Sequence, residues 1–299
     1  MTTLTSKNFT FLRFHNPLMK LKAYYMEEIM NIPWGRMLLL AFFVYLFFIG
    51  LAWIYGKKIL FPVPESSYQK GDNIIQVQTS NGTKISLLRQ GNTKKPGTTI
   101  IYSHGNAEDI GQLAPFFEMW KEKDWEILAY DYPGYGLSAG LPSEEGCLQA
   151  IEAVYQYAIE DCQRSPEHIL VWGRSLGTGP SCYLAAHQKV AGLLLETPFL
   201  SAFRTVTEIP FLPWDYFNNL DQVKHIRCPS LIIHGELDEV VPFRHGKRLH
   251  KELPEPKTFL SFQEATHNNL ESIGGEKYKA GIAEFIDNLA TSGISSNGE

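Results

Sequence analysis

From residue 74 onward, short apolar runs of four to six residues alternate with longer stretches of helical periodicity. Such alternation is typical of a mainly parallel sheet that is covered by helices on both faces. The first two runs flank Ser80–Thr83, whose Asn-Gly pair favours a hairpin and therefore an antiparallel edge. The predicted strands are Ile74–Thr79, Lys84–Arg89, Thr98–Ser103, Glu126–Tyr130, Ile169–Trp172, Leu193–Glu196, Leu231–His234 and Thr258–Phe262.

The stretches between these strands carry the apolar spacing of amphipathic helices. We expect one three-layer α/β domain over residues 60–291, followed by a loose polar tail at 292–299. The predicted helices are Ile110–Lys123, Glu144–Cys162, Leu176–His187, His245–Leu253 and Lys277–Leu289.

Ahead of this domain, residues 37–56 form an uncharged stretch of twenty residues flanked by Arg36 and by Lys57-Lys58. A helix of that length spans about 30 Å, the hydrocarbon thickness of a bilayer. A buried core helix and a cleaved signal peptide are the alternatives. We expect a single-pass membrane protein with residues 1–36 as a juxtamembrane segment. Basic residues balance on the two sides, so the side that carries the domain stays open.

The overall charge and the cysteines narrow the classes of partner. A net charge of −5 gives no basic face for phosphates, so nucleic acid is not an expected partner. The four cysteines are scattered, without a CxxC pair, and predict neither a metal site nor a redox motif. We therefore expect no metal and no cofactor.

The strongest chemical signal is Gly173-Arg174-Ser175-Leu176-Gly177, which follows an apolar strand and opens a helix. This is the G-x-S-x-G pattern, in which a tight strand-to-helix turn exposes the serine hydroxyl above the sheet. The context predicts Ser175 as a nucleophile. A glycine-rich turn with a buried serine is the alternative.

A serine hydroxyl needs a base, and the base needs a carboxylate. His267 follows the last predicted strand, and Asp238 lies in the loop after the strand that ends at His234. This order, serine then acid then histidine, is that of folds with such a turn. Three carboxylates compete with Asp238 as the acid: Glu196, Glu236 and Glu239.

The developing negative charge in acyl transfer requires two backbone N–H donors. One is expected from Leu176, directly after the nucleophile, and the other from Asn106 in the loop after the first buried strand. His104 in the same loop is interpreted as a structural partner of the loop, since His267 supplies the acid–base group.

Five motifs together resemble those of the α/β-hydrolase superfamily: His104–Ala107, Asp131–Gly136, Gly173–Gly179, His234–Asp238 and His267-Asn268. Within it, the chain resembles the bud-emergence-related branch of membrane-anchored serine hydrolases, which also carries an apolar N-terminal segment, a Leu-Phe-Pro stretch (here Leu60–Pro62) and an HGNA loop. Some animal relatives remove palmitoyl groups from protein cysteines. The resemblance therefore implies an acyl ester or thioester substrate, carried by a lipid or a lipidated protein. Glu196-Thr197-Pro198 departs from the serine-containing turn of many relatives.

The stretch between Pro198 and Pro229 is expected to be a short lid insert, too short for a separate cap domain. Its aromatic residues Phe199, Phe203, Phe211 and Trp214 either rim an open acyl pocket or pack the insert onto the sheet. The sequence thus predicts a serine hydrolase of acyl esters or thioesters. A peptidase or amidase on the same triad is an alternative, and a non-catalytic membrane scaffold is another.

Overall fold

A computed structural model describes residues 17–31, 33–71, 73–94, 96–207 and 210–295. The chain divides into two compact units, residues 1–56 and 57–299. The first unit contains helix α1 (Pro17–Asn31) and most of helix α2 (Pro33–Leu60). The second unit contains the sheet and all the predicted motifs.

The second unit is built on one eight-stranded sheet with the strand order β1-β2-β4-β3-β5-β6-β7-β8. Strand β1 pairs antiparallel with β2, and β2 pairs antiparallel with β4, whereas all other neighbours are parallel. The strands are β1 (Ile74–Gln78), β2 (Lys84–Gly91), β3 (Thr98–Ser103), β4 (Trp125–Tyr130), β5 (Ile169–Arg174), β6 (Gly192–Glu196), β7 (Ser230–Gly235) and β8 (Lys257–Phe262).

The central strands are apolar on both faces because helices cover both sides of the sheet. In β3, Ile101 belongs to one core while Ile100 and Tyr102 belong to the other. In β5, Val171 and Trp172 divide between the two cores in the same way. Two cores on opposite faces of one sheet make the three layers that the sequence predicts.

The helices that form the outer layers fall between the strands. Helices α4, α5 and α7 contribute to the core of Ile101, whereas α3 and α8 contribute to the core of Tyr102. Helix α8 contains a kink at Gly275. The bounds are α3 (Ala114–Trp120), α4 (Glu144–Glu160), α5 (Thr178–His187), α6 (Asn219–Gln222), α7 (Arg244–Glu252) and α8 (Leu270–Ser295), with short 3₁₀ turns at Ile110–Leu113, Pro166–His168, Ser175–Gly177, Phe203–Thr205 and Val223–His225.

The predicted fold class is confirmed, with the antiparallel hairpin at one edge of the sheet. The predicted tail differs from the structure, because α8 continues to Ser295, and residues 296–299 lie outside the described part. Residues 1–16 of the predicted juxtamembrane segment also lie outside it, and Pro17–Asn31 is helical.

Helix α2 is the longest and most apolar helix of the described residues. Its 28 residues include an 18-residue window of mean hydropathy 2.6, of which none is buried. Length and composition would allow this helix to cross a bilayer. It begins four residues before the predicted span and ends four residues after it.

The segment Leu60–Tyr68, which we call the linker, joins α2 to the sheet and packs onto the second unit. Phe61 is buried with its ring 6.3 Å from that of Phe217. The backbone N–H of Ser67 donates to Asp109 at 2.7 Å, and the Tyr68 hydroxyl donates to Asp131. The linker is therefore part of the folded domain rather than a free tether.

We expect a chain that lacks residues 1–56 to be soluble and folded, whereas a chain that lacks residues 1–68 should be less stable. The longer deletion removes Phe61, and loss of a buried phenylalanine costs about 3–5 kcal/mol. For a domain of this size each kcal/mol lowers the melting temperature by roughly 2–4 °C, so the drop should be on the order of 10 °C. Thermal unfolding of both chains measures it. Equal melting temperatures would show that the linker contributes nothing.

Candidate active site

The turn between β5 and α5 is tight, and it sets the backbone of Ser175. Ser175 lies in the left-handed region, with φ of 50°. A Cβ atom on Gly173 would lie 2.4 Å from the Gly177 carbonyl oxygen, and one on Gly177 would lie 2.0 Å from the Ser103 carbonyl oxygen. Only glycine fits either position, which is the physical reason for the spacing of the motif. A strained backbone of this kind persists only where the surrounding structure fixes it.

His267 lies in the loop after β8, directly beside Ser175. Its Nε2 atom is 2.9 Å from Ser175 Oγ, and its Nδ1 atom is 2.8 Å from Asp238 Oδ2. A carboxylate only accepts hydrogen bonds, so Nδ1 carries the proton. In the neutral ring Nε2 is then the acceptor, and it faces the serine hydroxyl. The three side chains come from three loops at the carboxyl edge of the sheet.

Asp238 is held in its charged form by the loop after β7. The backbone N–H groups of Val240 and Val241 donate to its Oδ1 at 2.9 and 2.7 Å, and His234 Nε2 lies 3.3 Å from its Oδ2. Burial alone would raise the pKa of Asp238, but the contacts with His234, His267 and Val241 outweigh burial and hold it well below its ordinary value. The carboxylate is therefore ionised beside His267 at neutral pH.

The competing carboxylate Glu196 has other partners. Its Oε2 accepts a hydrogen bond of 3.0 Å from the Tyr278 hydroxyl, and its Oε1 lies 3.7 Å from Arg174 Nε. Burial raises the pKa of Glu196, although Arg174 and Tyr278 oppose this rise. Glu236 likewise accepts a hydrogen bond from Ser261. Glu239 lies exposed in the same loop as Asp238. The carboxylate that the structure brings to His267 is that of Asp238.

Arg174, the variable residue of the motif, links the loops around Ser175. Its guanidinium donates to Glu108 at 2.8 Å and to Asn268 at 3.0 Å, in addition to its approach to Glu196. Burial lowers the pKa of Arg174, but the neighbouring Glu108, Tyr102 and Glu196 raise it above its ordinary value. This role cannot be read from the sequence, because no local pattern connects residues that lie 66 and 94 positions apart.

The two expected oxyanion donors lie in the turns that follow β5 and β3, which are neighbouring parallel strands. Leu176 is in the first turn of the 3₁₀ helix Ser175–Gly177, where backbone N–H groups lack partners within the helix. Asn106 follows β3, the strand beside β5, and its carbonyl oxygen accepts a hydrogen bond of 2.9 Å from the Tyr135 hydroxyl. Tyr135 is buried and supports this loop.

The insert after β6 is folded onto the sheet around Asp215. This carboxylate accepts hydrogen bonds from the Ser201 hydroxyl at 2.6 Å and from the Phe203 N–H at 2.8 Å. Phe199 is buried against Phe217, so of the two alternatives for the aromatic residues of the insert, packing onto the sheet holds for Phe199. Phe203 and Trp214 are half-buried, and Phe211, with 42% of its surface exposed, is the most accessible of these four side chains.

Other nucleophiles and metal sites do not compete in the described part of the chain. Burial raises the pKa of the Cys228 thiol to about 12 and that of Cys182 further, so neither forms a reactive thiolate. Among the described residues, no group of three or more His, Cys, Asp or Glu side chains is placed to hold a metal ion.

Comparison with solved structures supports the architecture. An esterase from Pyrococcus furiosus superimposes with a TM-score of 0.65 at 15% identity, covering 76% of this chain and 99% of that one. The hydrolase GrgF from a Penicillium species gives a TM-score of 0.64 at 16% identity, covering 73% and 98%. The fold is that of the α/β-hydrolases.

Comparison of sequences identifies the branch. The alpha/beta hydrolase domain-containing protein 17B of Xenopus laevis is 35% identical over 223 residues, covering 71% of this chain and 75% of that protein. The human 17B protein is 34% identical over 218 residues with the same coverage. A family model described as serine aminopeptidase S33 matches residues 94–214. The chain is an enzyme of the serine hydrolase type and belongs to the alpha/beta hydrolase domain-containing protein 17 family.

Substitution of the two carboxylates tests which one serves His267. Asp238→Asn should lower turnover by about 10⁴, because an amide can hold the ring in the wrong tautomer and leaves the imidazolium unstabilised. Glu196→Gln should cost less than about tenfold, since a neutral side chain still accepts the Tyr278 hydrogen bond. Steady-state kinetics, with melting temperatures as the control for folding, gives the comparison. The reverse ranking would assign the acid to Glu196.

Proposed function

We propose that this protein is a membrane-anchored hydrolase that cleaves acyl esters or thioesters through Ser175, His267 and Asp238. The observation that carries the proposal is the continuous chain of contacts from Ser175 Oγ to His267 Nε2 and from His267 Nδ1 to Asp238 Oδ2, at 2.9 and 2.8 Å. Both distances are those of hydrogen bonds, and the proton positions deduced above make the ring a base toward the serine.

In the first half-reaction, His267 Nε2 takes the proton of Ser175 as Oγ attacks the carbonyl carbon of the substrate. A tetrahedral intermediate forms, and its oxyanion accepts hydrogen bonds from the Leu176 and Asn106 N–H groups, each worth about 3 kcal/mol of barrier. Asp238 stabilises the imidazolium. His267 then gives the proton to the departing alcohol or thiol, and an acyl-enzyme on Ser175 remains.

In the second half-reaction, water replaces the leaving group. His267 removes a proton from the water as its oxygen attacks the acyl carbon, and a second oxyanion forms in the same place. Collapse of this intermediate breaks the bond to Ser175 Oγ, which regains its proton from His267. The products are a carboxylic acid and an alcohol or thiol.

The substrate class follows from the family and from the shape of the insert. The resemblance to depalmitoylating relatives favours a long acyl chain joined through a thioester to a protein cysteine. The insert after β6 adds only short helical turns, Phe203–Thr205 and Asn219–Gln222, and leaves Phe211 accessible. A short insert with an exposed aromatic side chain suits a long chain that is carried by a large partner.

A second candidate, a peptidase, is favoured by the match to the serine aminopeptidase model. An aminopeptidase recognises the free amino group of its substrate, for which a carboxylate near the nucleophile is the natural partner. Glu108 and Glu196, which flank the nucleophile strand, are both paired with Arg174. This pairing favours the ester and thioester function.

Membrane attachment is proposed to come from α2. Its apolar window is unburied, which argues against a core helix, and basic residues Lys57 and Lys58 lie in its last turn. A retained single span would hold the enzyme at the surface where acylated proteins and lipids reside.

Substitution Ser175→Ala should abolish covalent labelling by a fluorophosphonate probe and nearly all turnover. The probe reacts with an activated serine, and the alanine variant has no oxygen to attack phosphorus. Gel fluorescence of intact membranes measures labelling, and Ser181→Ala is the matched control because Ser181 is a buried serine of α5, outside the triad. Full labelling of Ser175→Ala would place the nucleophile elsewhere.

A panel of substrates with one acyl chain and three leaving groups should separate the candidate functions. We expect kcat/KM to be highest for the thioester and the ester and at least about 100-fold lower for the amide, whose amine is a poor leaving group that needs better placed proton delivery. Chain length is varied from acetyl to palmitoyl in each series. Preference for the amide would instead support the peptidase.

A further inference from the structure

The peptide group between Gly105 and Asn106 is held at its carbonyl oxygen by the ring of His104. His104 Nδ1 lies 2.7 Å from the Gly105 carbonyl oxygen. In a trans peptide the C=O of Gly105 and the N–H of Asn106 belong to one plane and point in opposite directions. A contact that fixes the Gly105 carbonyl therefore also fixes the direction of the Asn106 N–H, the expected oxyanion donor.

Both ring nitrogens of His104 face oxygens that only accept. The Gly105 carbonyl oxygen requires a proton on Nδ1, and Asp131 Oδ1 lies 3.4 Å from Nε2, an electrostatic approach rather than a hydrogen bond. A neutral ring would turn a lone pair toward the carboxylate, whereas the imidazolium offers an N–H to each side. Both side chains are fully buried, where such a difference is large.

The charge preference of His104 agrees with this geometry. Burial opposes the charged form, but the neighbouring Asp131, with Glu108 and Gly105, outweighs burial and raises the pKa of His104 above its ordinary value. The ring also stacks at 4.4 Å between centroids on Tyr132, whose hydroxyl donates to the His104 carbonyl oxygen. The ring therefore has little freedom to turn.

Asp131 is in turn held by groups from distant parts of the chain. Its Oδ1 accepts the Ile110 N–H at 2.9 Å, and its Oδ2 accepts the Tyr68 hydroxyl. The Leu137 N–H donates to the same hydroxyl at 3.1 Å. A Cβ atom on Gly136 would lie 2.0 Å from Asp131 Oδ2, so the packing around this carboxylate leaves no room for another group.

We infer that Tyr68, Asp131 and His104 form a positioning set that aims the Asn106 N–H at the oxyanion, so that the linker after α2 contributes to catalysis without touching substrate. The inference rests on the proposed function, since it assigns a role within that reaction. His267 and this set are separate: one moves the proton, and the other holds the donor. Pre-aimed donors stabilise the transition state because no reorganisation is needed when the charge forms.

Substitution Tyr68→Phe in the full-length protein tests the set with the smallest change, the loss of one hydroxyl. Loss of a whole oxyanion donor lowers kcat by about 10²–10³. A donor that is retained but poorly oriented should cost less, so we expect kcat to fall by roughly tenfold and KM to change by less than about twofold. Tyr155→Phe is the matched control, because that buried tyrosine also loses one hydrogen bond, to the Lys189 carbonyl oxygen, far from Ser175. It should keep wild-type kinetics.

Inhibition by a trifluoromethyl ketone distinguishes a positioning role from a purely structural one, because a purely structural role would leave the inhibition constant unchanged. Ser175 adds to this ketone, and the hemiketal oxyanion occupies the place of the oxyanion of the intermediate. The inhibition constant of the ketone should therefore rise by the same factor by which kcat/KM falls. His104→Gln, which removes the charge and the fixed ring, should lower kcat by about a hundredfold. Melting temperatures show whether His104→Gln folds. If it does not, the kinetics and ketone affinity of Tyr68→Phe alone test the positioning set.

The outcomes separate this inference from the proposed function. If the wild-type protein is labelled at Ser175 and hydrolyses the acyl panel, but Tyr68→Phe keeps wild-type kcat and ketone affinity, the positioning set is wrong and the triad stands. If the wild-type protein neither labels nor hydrolyses, the proposed function is wrong and the inference falls with it. A change in KM with kcat unchanged would also overturn the positioning role.

Discussion

The rest of the site depends on one close approach, that of the Gly177 backbone to the Ser103 carbonyl oxygen at the end of β3. A Cβ atom in this place would be only 2.0 Å from the oxygen. The contact brings the nucleophile turn against the strand from which the loop of Asn106 begins. The left-handed conformation of Ser175 is stabilised by this packing, and the hydroxyl is thereby directed to His267. A larger residue at position 177 would separate Ser175, the proposed nucleophile, from the loop of Asn106, the proposed oxyanion donor.

Charged side chains then join the loops that the parallel sheet merely places side by side. Arg174 binds Glu108 in the loop of Asn106 and Asn268 beside His267. Glu108 also accepts the Gly105 N–H at 2.7 Å, so both sides of the Gly105 backbone are held, its N–H by Glu108 and its carbonyl by His104. Paired charges of this kind are costly to bury, and they are retained where geometry matters more than stability.

The sequence predicted those parts of the site that depend on local pattern. The period and length of the apolar runs indicate which segments are buried strands. The loops at the ends of three of these strands carry Ser175, Asp238 and His267. The sequence leaves either Asp238 or Glu196 as the acid, because both lie at the ends of strands. The three-dimensional contacts distinguish them, since Asp238 contacts His267 whereas Glu196 contacts Tyr278.

Contacts between distant polar residues could not be read in the same way. The hydrogen bond from Tyr68 to Asp131 joins positions 63 apart, and that from Arg174 to Asn268 joins positions 94 apart. Such pairs depend on strand register and on rotamers, which no periodicity encodes. The burial of Phe199 was missed for a related reason: an aromatic residue in an insert looks the same in sequence whether it packs inward or lines a pocket.

The insert between β6 and β7 folds around its own carboxylate, Asp215, and contains none of Ser175, His267, Asp238, Leu176 and Asn106. The residues proposed to break the bond and the insert proposed to face the substrate are thus encoded in separate stretches of the chain. Under the proposed function, mutations in the insert can change which acyl group is accepted without altering the reaction itself. Descendants of a common ancestor can in this way diversify in substrate while inheriting one chemistry.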